Sequence, residues 1–358
     1  MKNNGKSYVK RALCASAAIL TLLTGSCGRG GDDGSGMPEP TEVRYTSMQL
    51  IEDTEFRKGF SIIGQDTRPE GSILLYGADE AREDTGAEAP VWMIAQWNSG
   101  RSLYKDRADS APEVLTEGVA KTVSLDPETR AVSLRLNTIP LYNGKGGETS
   151  SWPHLLLEQY LSIDASEAGT KRMEYYSCSA DRIILSLDIR MTSFEFVDIP
   201  GVNAAQFLSY YYIKSKTGDD FVWFGAPLFD NRGETGIYWA VDTAGSDRMI
   251  YSISSRDTYK NSAGSMLSSS DEPRLWTGDP KTSDPVYGEE GWIHVEVDLK
   301  PHIEEMFRRG LAEGTFKYAK TLDDLYISGM NIGFETIGSF DITVEIRAMR
   351  LTGELLLG

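Results

Sequence analysis

Alternation of apolar and polar residues is the dominant pattern of the chain. In residues 292–299, isoleucine, valine and leucine fall at every second position, with histidine, glutamate and aspartate between them. Residues 131–137 and 183–191 alternate in the same way. A period of two places successive side chains on opposite faces of a strand, so these segments predict β-strands with one buried face.

The longest strand-forming stretch is residues 207–253. It contains three or four runs rich in tyrosine, phenylalanine, tryptophan, valine and isoleucine, which suit a pleated and half-buried surface. The runs are separated by TGDD, DNRG and TAGSD, whose glycine, aspartate and asparagine favour turns. The stretch therefore predicts the strands of an all-β core.

Further strands are predicted on both sides of this stretch. A hairpin is expected from residues 119–125 and 131–137, with Asp126-Pro127-Glu128-Thr129 as its turn. Pro153 argues against the start of a central strand at residues 152–159, because proline lacks the N–H that a strand ladder needs. The remaining strands are expected at residues 43–50, 56–64, 72–76, 91–97, 325–334 and 340–351.

One segment, residues 301–311, has a helical pattern. Pro301 suits the first turn, and Gly310 favours termination. Its apolar face is formed by Ile303, Met306, Phe307 and Leu311. Many strands and one short late helix predict an all-β, two-sheet sandwich. We expect residues 43–358 to form one domain, and two smaller sandwiches that meet near Ser177 are the alternative.

The N-terminus has the features of an export signal. Basic residues within positions 2–11 precede an apolar segment at 12–23, which is too short for a membrane span. The sequence Leu23-Thr24-Gly25-Ser26-Cys27 follows, and it resembles the lipobox of bacterial lipoproteins. This resemblance implies a signal peptide at residues 1–26 and a lipid on Cys27. An ordinary secretory signal with an incidental cysteine is the alternative.

Residues 27–42 are expected to be a flexible tether, because glycine, serine, aspartate and proline cannot bury enough apolar surface to fold. Their acidic, glycine-rich sequence resembles the export signal of surface-exposed lipoproteins in glycan-using Gram-negative bacteria. We therefore expect a cell-envelope protein that is anchored in the outer membrane by its lipid and exposed at the cell surface.

The charge of the chain argues against one class of partner. Its formal charge is −17, and an acidic surface repels phosphate backbones, so nucleic acid is not an expected partner. Cys178 lies beside apolar residues and is expected to be a buried small residue rather than a reactive thiol.

Catalytic motifs are missing from the sequence. The histidines His154, His294 and His302 lie in no HExxH motif, and GxSxG, GxxxxGK[ST] and zinc-type Cys/His spacings do not occur. Each histidine is expected to be structural or exposed, and no residue is singled out as catalytic. Whether the protein is an enzyme stays open, with binding favoured over catalysis and no cofactor expected.

Aromatic and polar residues near the turn at 230–232 have the composition of a carbohydrate site. Aromatic rings pack on the C–H faces of sugars, while a few placed polar groups bind the hydroxyls. The candidate residues are Trp223, Asp230, Asn231, Arg232, Trp239, Asp242 and Trp276. Tryptophans packed in the core beside an ordinary turn are the alternative. A structural Ca²⁺ held by Asp230, Asp242 and Asp247 is a further use for these carboxylates.

Five stretches carry a resemblance to a known group of folds. They read WPHLLLEQ, FGAPLFDNRG, YWAVDTAGSDRMIYS, GWIHVEVDLKPHI and LYISGMNIGFETIGSFDITVEIRAMRL. They resemble concanavalin-like, carbohydrate-binding jelly-roll sandwiches of bacterial glycan-utilisation systems. The resemblance implies a jelly-roll sandwich that binds carbohydrate without catalysis. Because one fold serves several functions, a glycoside hydrolase or polysaccharide lyase, and a structural or adhesive surface subunit, are the alternatives.

Overall fold

The alternating segments form strands with one buried face. In Ile293–Asp298, Ile293 and Val295 are buried, whereas His294 and Glu296 are exposed, as a period of two requires. The structure is a computed structural model, and it describes residues 43–63, 69–73, 90–98, 103, 113–114, 120–126, 128–142, 152–161, 170–233, 235–243, 246–262 and 291–357.

Sixteen strands are found in this described part of the chain. In chain order they are β1 (Tyr45–Gln49), β2 (Phe60–Ile63), β3 (Pro69–Ile73), β4 (Trp92–Ala95), β5 (Glu113–Val114), β6 (Ala120–Leu125), β7 (Val132–Asn137), β8 (His154–Tyr160), β9 (Arg182–Val197), β10 (Ala204–Ser215), β11 (Phe221–Asp230), β12 (Tyr238–Val241), β13 (Met249–Ser252), β14 (Ile293–Asp298), β15 (Leu325–Ile337) and β16 (Ser339–Leu356).

The strands pair into two sheets. The small sheet has seven strands in the order β14-β9-β16-β7-β6-β5, with β1 also paired to β16. The large sheet has nine strands in the order β12-β13-β11-β10-β15-β8-β4-β2-β3. Among the described strands, the β11–β13 and β2–β4 pairs are parallel and the other pairs are antiparallel. The predicted all-β, two-sheet jelly-roll sandwich is confirmed.

Strands from both halves of the chain are interleaved in each sheet. In the large sheet β8 lies between β4 and β15, and in the small sheet β7 pairs with β16. The described strands therefore do not divide into two successive sandwiches near Ser177.

The core lies between the sheets and is lined by apolar side chains from both. Phe207 and Phe334 of the large sheet meet edge to face with ring centroids 4.9 Å apart. Phe194 of the small sheet reaches Phe229 of the large sheet at 5.8 Å. Burial of each such large apolar side chain contributes about 1.5 to 3 kcal/mol, so the shared core is the main source of stability.

The predicted β6–β7 hairpin is confirmed, but the inference from Pro153 is wrong. Asp126 N donates to Ala131 O at 2.9 Å and closes the turn. β8 begins at His154, directly after Pro153, and is an interior strand. Pro153 lies outside the strand, and its carbonyl accepts a hydrogen bond from Thr336 N at 3.0 Å. The missing N–H therefore costs the sheet no ladder bond.

The late helix is confirmed as α4 (Lys300–Glu313), but it ends later than expected. Gly310 does not terminate it, because Gly310 is buried where a Cβ atom would lie 2.3 Å from Cε2 of Phe316. Termination falls to Gly314, which has a left-handed φ of 74°. Leu311 is 40% exposed and does not belong to the buried face.

Three shorter helices were not expected from the sequence: α1 (Ile139–Tyr142), α2 (Thr170–Tyr176) and α3 (Ser255–Thr258). None of the helices described is long and apolar enough to cross a membrane. The prediction that Cys178 is buried is confirmed. Burial raises the pKa of its thiol to about 12, so the thiol stays protonated and unreactive at neutral pH.

Candidate functional site

The large sheet has a face that points away from the core. Phe207 and Tyr211 of β10 and Phe224 of β11 pack in the core, so the residues alternating with them point to the opposite side. We call this side the outer face. In four adjacent strands it carries Gln206, Tyr210 and Tyr212 of β10, Trp223 and Asp230 of β11, Asn331 and Glu335 of β15, and His154, Glu158 and Tyr160 of β8.

An aromatic group of Phe221, Trp223, Tyr210 and Tyr212 occupies one part of the outer face. The ring centroid of Trp223 lies 4.7 Å from that of Tyr212 and 4.8 Å from that of Phe221, both edge to face. Tyr210 lies 6.3 Å from Trp223. Trp223 and Tyr210 are partly exposed, so the group presents aromatic surface to solvent.

A polar relay fixes the indole of Trp223. Its Nε1 donates to Ser246 Oγ at 2.9 Å, and Ser246 Oγ donates to Asp242 Oδ2 at 2.9 Å. The backbone N–H of Ser246 donates to the same Asp242 oxygen at 2.9 Å. Because the indole N–H is satisfied within the protein, the rest of the ring is left to make apolar contacts.

Two glycines make room for the tyrosine rings of the aromatic group. A Cβ atom on Gly225 would lie 2.6 Å from Cε1 of Tyr210, and one on Gly329 would lie 2.6 Å from Cδ2 of Tyr212. Each tyrosine ring therefore lies directly over the backbone of the neighbouring strand. Larger residues at either position would push the rings off the sheet.

A polar ladder crosses the sheet at the other end of the outer face. Asp230, Gln206, Glu335 and His154 are paired in successive strands β11, β10, β15 and β8. Gln206 Nε2 donates to Asp230 Oδ2 at 2.8 Å, and His154 Nε2 lies 3.6 Å from Glu335 Oε1. The half-exposed Arg232 binds both oxygens of Asp230, through Nε at 2.8 Å and Nη2 at 2.6 Å.

Burial and two neighbouring charged side chains shift the pKa of Glu335. Burial raises the pKa of Glu335, His154 lowers it, and the nearby carboxylate of Asp242 raises it further. Asp242 also raises the pKa of Tyr210, which burial has already raised well above its ordinary value. Asp242 therefore acts on both the polar ladder and the aromatic group.

Glu158 and Asn331 lie between the aromatic group and the polar ladder. They are cross-strand partners in β8 and β15, and they are only 2% and 3% exposed. Asn331 Nδ2 donates to the hydroxyl of Tyr212 at 3.1 Å. Glu158 Oε2 and Asn331 Oδ1 have no hydrogen-bond partner among the described residues. A buried polar atom without a hydrogen-bond partner lowers the stability of the folded state by about 1 to 3 kcal/mol.

Burial also raises the pKa of Glu158, and the hydroxyls of Tyr212 and Tyr160 oppose this shift. Tyr160 itself is 55% exposed and lies 6.0 Å from Tyr212 between ring centroids. The outer face thus places a buried carboxyl group beside the buried Tyr212 and beside Tyr160, which reaches the surface.

The structure brings four of the predicted site residues to this side of the sheet: Trp223, Asp230, Arg232 and Asp242. Asn231 instead fastens the β10–β11 corner, since its Oδ1 accepts from Ala205 N at 2.6 Å. Trp276 and Cys27 lie outside the described residues.

Trp239 does not join Trp223. It pairs with Tyr251 across β12 and β13, and Tyr251 stacks on Phe224 of the core. Its Nε1 donates to Glu313 of α4, and the guanidinium of Arg309 lies 5.1 Å from the centroid of its ring. Trp239 therefore faces the side of the sheet opposite to Trp223, and Tyr238 takes the outer position.

Several residues of the outer face were missed by sequence reasoning: Gln206, Tyr210, Tyr212, His154, Glu158, Asn331 and Glu335. A usable signal was present in β8, where His154 and Glu158 interrupt a leucine-rich strand at even spacing. Asn331 and Glu335 do the same in β15. Polar residues at regular spacing in an otherwise buried strand mark a second face with a separate role.

No group of three or more His, Cys, Asp or Glu side chains arranged to hold a metal ion occurs within the described ranges. Asp230 is engaged by Arg232 and Gln206, and Asp242 is engaged by Ser246.

Comparison with known proteins gives no match to a family model and no match to a curated protein. Solved structures give distant matches. The family 12 xyloglucanase from Bacillus licheniformis is 10% identical with a TM-score of 0.35, over 72% of this chain and 98% of that chain. Endoglucanase 3 of family GH12 from Trichoderma harzianum is 10% identical with a TM-score of 0.33, over 75% and 96%.

A family 11 xylanase from Neocallimastix patriciarum is 8% identical with a TM-score of 0.29, over 67% of this chain and 93% of that chain. At such low identity and TM-score, these similarities give no information on what this chain binds or whether it catalyses a reaction.

Proposed function

We propose that the outer face of the large sheet binds carbohydrate without cleaving it. The observation that supports this most is the position of the aromatic group and the polar ladder on one face. Partly exposed Trp223 and Tyr210 offer apolar ring surface for the C–H side of a sugar. The half-exposed Arg232, which the buried Asp230 holds in place, and Glu335 offer charged hydrogen-bonding groups for hydroxyls.

The length of the face favours a chain of several sugars over a monosaccharide. Trp223 and Asp230 are both in β11, and their partners in β10, Tyr212 and Gln206, are six residues apart. At about 3.3 Å per residue they therefore lie about 20 Å apart. Tyr210 stands between them along the sheet. An oligosaccharide or polysaccharide that follows β11 would contact the aromatic group and the polar ladder at once.

Calorimetric titration of the wild-type protein against a polysaccharide panel tests this proposal. Trp223→Ala should weaken binding about tenfold or more, which corresponds to about 1.4 kcal/mol. Trp239→Ala is the matched control, because Trp239 is also a partly buried tryptophan but faces the other side. No heat with any polysaccharide, or equal losses from both variants, would contradict the proposal.

A glycoside hydrolase or polysaccharide lyase is the second candidate, and Glu335 is the observation that favours it. A carboxyl group whose pKa is raised by burial has a property of a general acid. Asp230 lies two strands away, at about 10 Å between Cα atoms, which is near the upper limit for paired carboxyls in hydrolases.

Binding is preferred because the carboxylate of Asp230 is held by Arg232 and Gln206, and Gln206 lies between the two acids. Glu158 is four residues along β8 from the partner of Glu335, about 13 Å, which exceeds hydrolase spacing. We expect no release of reducing ends from any glycan that binds. Release that is lost in Glu335→Gln would favour the enzyme.

The proposed location is the outer membrane, with residues 1–26 as a cleaved signal, a lipid on Cys27 and residues 27–42 as the tether. The apolar segment followed by the cysteine supports this, as do the glycine and aspartate after it. Labelled palmitate should enter the wild-type protein and not Cys27→Ser. External protease should cleave the protein on intact cells, and protection would contradict surface exposure.

A further inference from the structure

Unpartnered buried polar atoms are concentrated on two strands of the outer face. Nine such side-chain atoms occur among the described residues, and three of them are Glu158 Oε2, Asn331 Oδ1 and His154 Nδ1. All three belong to the adjacent strands β8 and β15. Buried polar atoms are normally paired, so this concentration points to a partner that the described residues do not supply.

The orientation of Asn331 is set by the aromatic group. Its Nδ2 donates to the hydroxyl of Tyr212. The ring of Tyr212 in turn packs edge to face on Trp223, with ring centroids 4.7 Å apart. The amide nitrogen is thereby committed, and Oδ1 is left as a hydrogen-bond acceptor. Glu158 pairs with Asn331 across the strands, so its free oxygen lies beside that acceptor.

The basic groups of the outer face lie toward its two ends, away from Glu158 and Asn331. The carboxyl groups are those of Glu158, Glu335, Asp230 and Asp242. The basic groups are those of Arg232 and His154 at the polar ladder, and those of Lys214 and Arg248, which lie 5.7 and 5.9 Å from the centroid of the Phe221 ring. The guanidinium of Arg232 is already bound to both oxygens of Asp230. A carboxylate or sulfate group placed over Glu158 and Asn331 would therefore meet the carboxyl group of Glu158 rather than a cation.

We propose that Glu158 and Asn331 form the hydroxyl-binding floor of the carbohydrate site and that this floor selects uncharged glycans over acidic ones. This inference rests on the proposed function. The two free oxygens accept hydrogen bonds from sugar hydroxyls, while the tyrosines around them pack on the ring.

Replacement of Glu158 separates binding from folding. Glu158→Met keeps the length of the side chain and removes a buried carboxyl group. The relief of that burial offsets the lost hydrogen bonds from Tyr212 and Tyr160, so the melting temperature should stay equal or rise. The same variant should lose affinity tenfold or more, because the acceptor is gone. Glu158→Gln keeps an acceptor oxygen and should bind within threefold of wild type.

A matched control is Glu345→Met on the small sheet, where Glu345 pairs with Arg190 at 2.7 Å. It should leave affinity unchanged. Asn331→Leu should weaken binding as Glu158→Met does, since it removes the second acceptor.

The experiment is calorimetric titration with a neutral panel of β-1,3-glucan, β-1,4-mannan and arabinogalactan, and an acidic panel of polygalacturonate, alginate and chondroitin sulfate. Binding confined to neutral glycans, with loss in Glu158→Met at an unchanged or higher melting temperature, supports the inference. Binding of acidic glycans, or wild-type affinity in Glu158→Met while Trp223→Ala loses affinity, overturns it and leaves the proposed function standing. No binding to either panel overturns both.

Discussion

The burial of Glu158 is the clearest indication at the level of one residue that the outer face does more than cover the core. A strand that served only the core would gain nothing from a carboxyl group at 2% exposure with an unpaired oxygen. The apolar neighbours of Glu158 in β8, Leu155 and Leu157, pack into the core, so its own side chain is committed to the opposite side. The carbohydrate-binding role that we propose for that side would explain why the cost is kept.

The pH dependence of stability should change in Glu158→Gln. Burial raises the pKa of Glu158 above its ordinary value of 4.5, so the folded state binds this proton more tightly than the unfolded chain. The folded state therefore loses stability as pH rises from about 4.5 through the raised pKa. The amide variant lacks that loss, and its stability advantage over wild type should grow with pH.

Thermal unfolding between pH 4 and pH 8 measures this difference. Glu296→Gln, which makes the same replacement at an exposed carboxyl on β14, is the control against which the Glu158→Gln difference is compared. A difference for Glu158→Gln that is constant or shrinks with pH would show that burial does not perturb this acid.

Gly225 should resist substitution by alanine. A Cβ atom there would lie 2.6 Å from Tyr210, so the ring would have to leave its place on the sheet. Overpacking of this kind costs about 1 to 3 kcal/mol. Urea unfolding gives the free energy, and Gly236→Ala is the control, since nothing lies within 4 Å of its Cβ position. Equal effects from the two variants would contradict the packing described for Tyr210.

At the level of elements, α4 shows which part of a helix the sequence determines. The spacing of Ile303, Met306 and Phe307 lies within the helix itself, so it was enough to predict both the helix and its buried face. The role of Gly310 depends on Phe316, which lies beyond the helix and folds back over it. The sequence of the helix alone does not show the contact with Phe316, and the prediction that the helix ends at Gly310 was therefore wrong.

Gly310→Ala should therefore destabilise the protein although alanine is the better helix former. The propensity gain is about 1 kcal/mol. The added methyl group would lie 2.3 Å from the Phe316 ring, and that clash costs about 1 to 3 kcal/mol. Urea unfolding of Gly310→Ala and of the double variant Gly310→Ala with Phe316→Leu tests the cause. If Phe316 is responsible, the alanine should be better tolerated beside leucine than beside phenylalanine.

The sequence alone does not determine which tryptophan lies on the outer face. Trp223 and Trp239 both lie in aromatic-rich segments beside a turn, and composition does not determine which one faces outwards. Their sides are set by the parallel β11–β13 pair and the antiparallel β12–β13 pair, which place Trp239 in the row of Tyr251 and Phe224. The outer face depends on pairings between distant segments, which an alternating pattern within one strand does not specify.

The whole molecule should unfold as one unit, because each sheet contains strands from both ends of the described chain. β1 pairs with β16, and β4 and β8 share the large sheet with β15. Calorimetry of a chain that starts at residue 43 should give one transition, with equal calorimetric and van't Hoff enthalpies. Two separable transitions would contradict the shared core and favour two sandwiches.

The position of a bound glycan tests the central claim most directly. A crystal structure with an oligosaccharide from the neutral panel should show sugar rings over Trp223 and Tyr210, and hydroxyls within hydrogen-bond distance of Glu158 Oε2 and Asn331 Oδ1. A glycan bound on the small sheet, or on the large sheet at Trp239 rather than Trp223, would contradict the account.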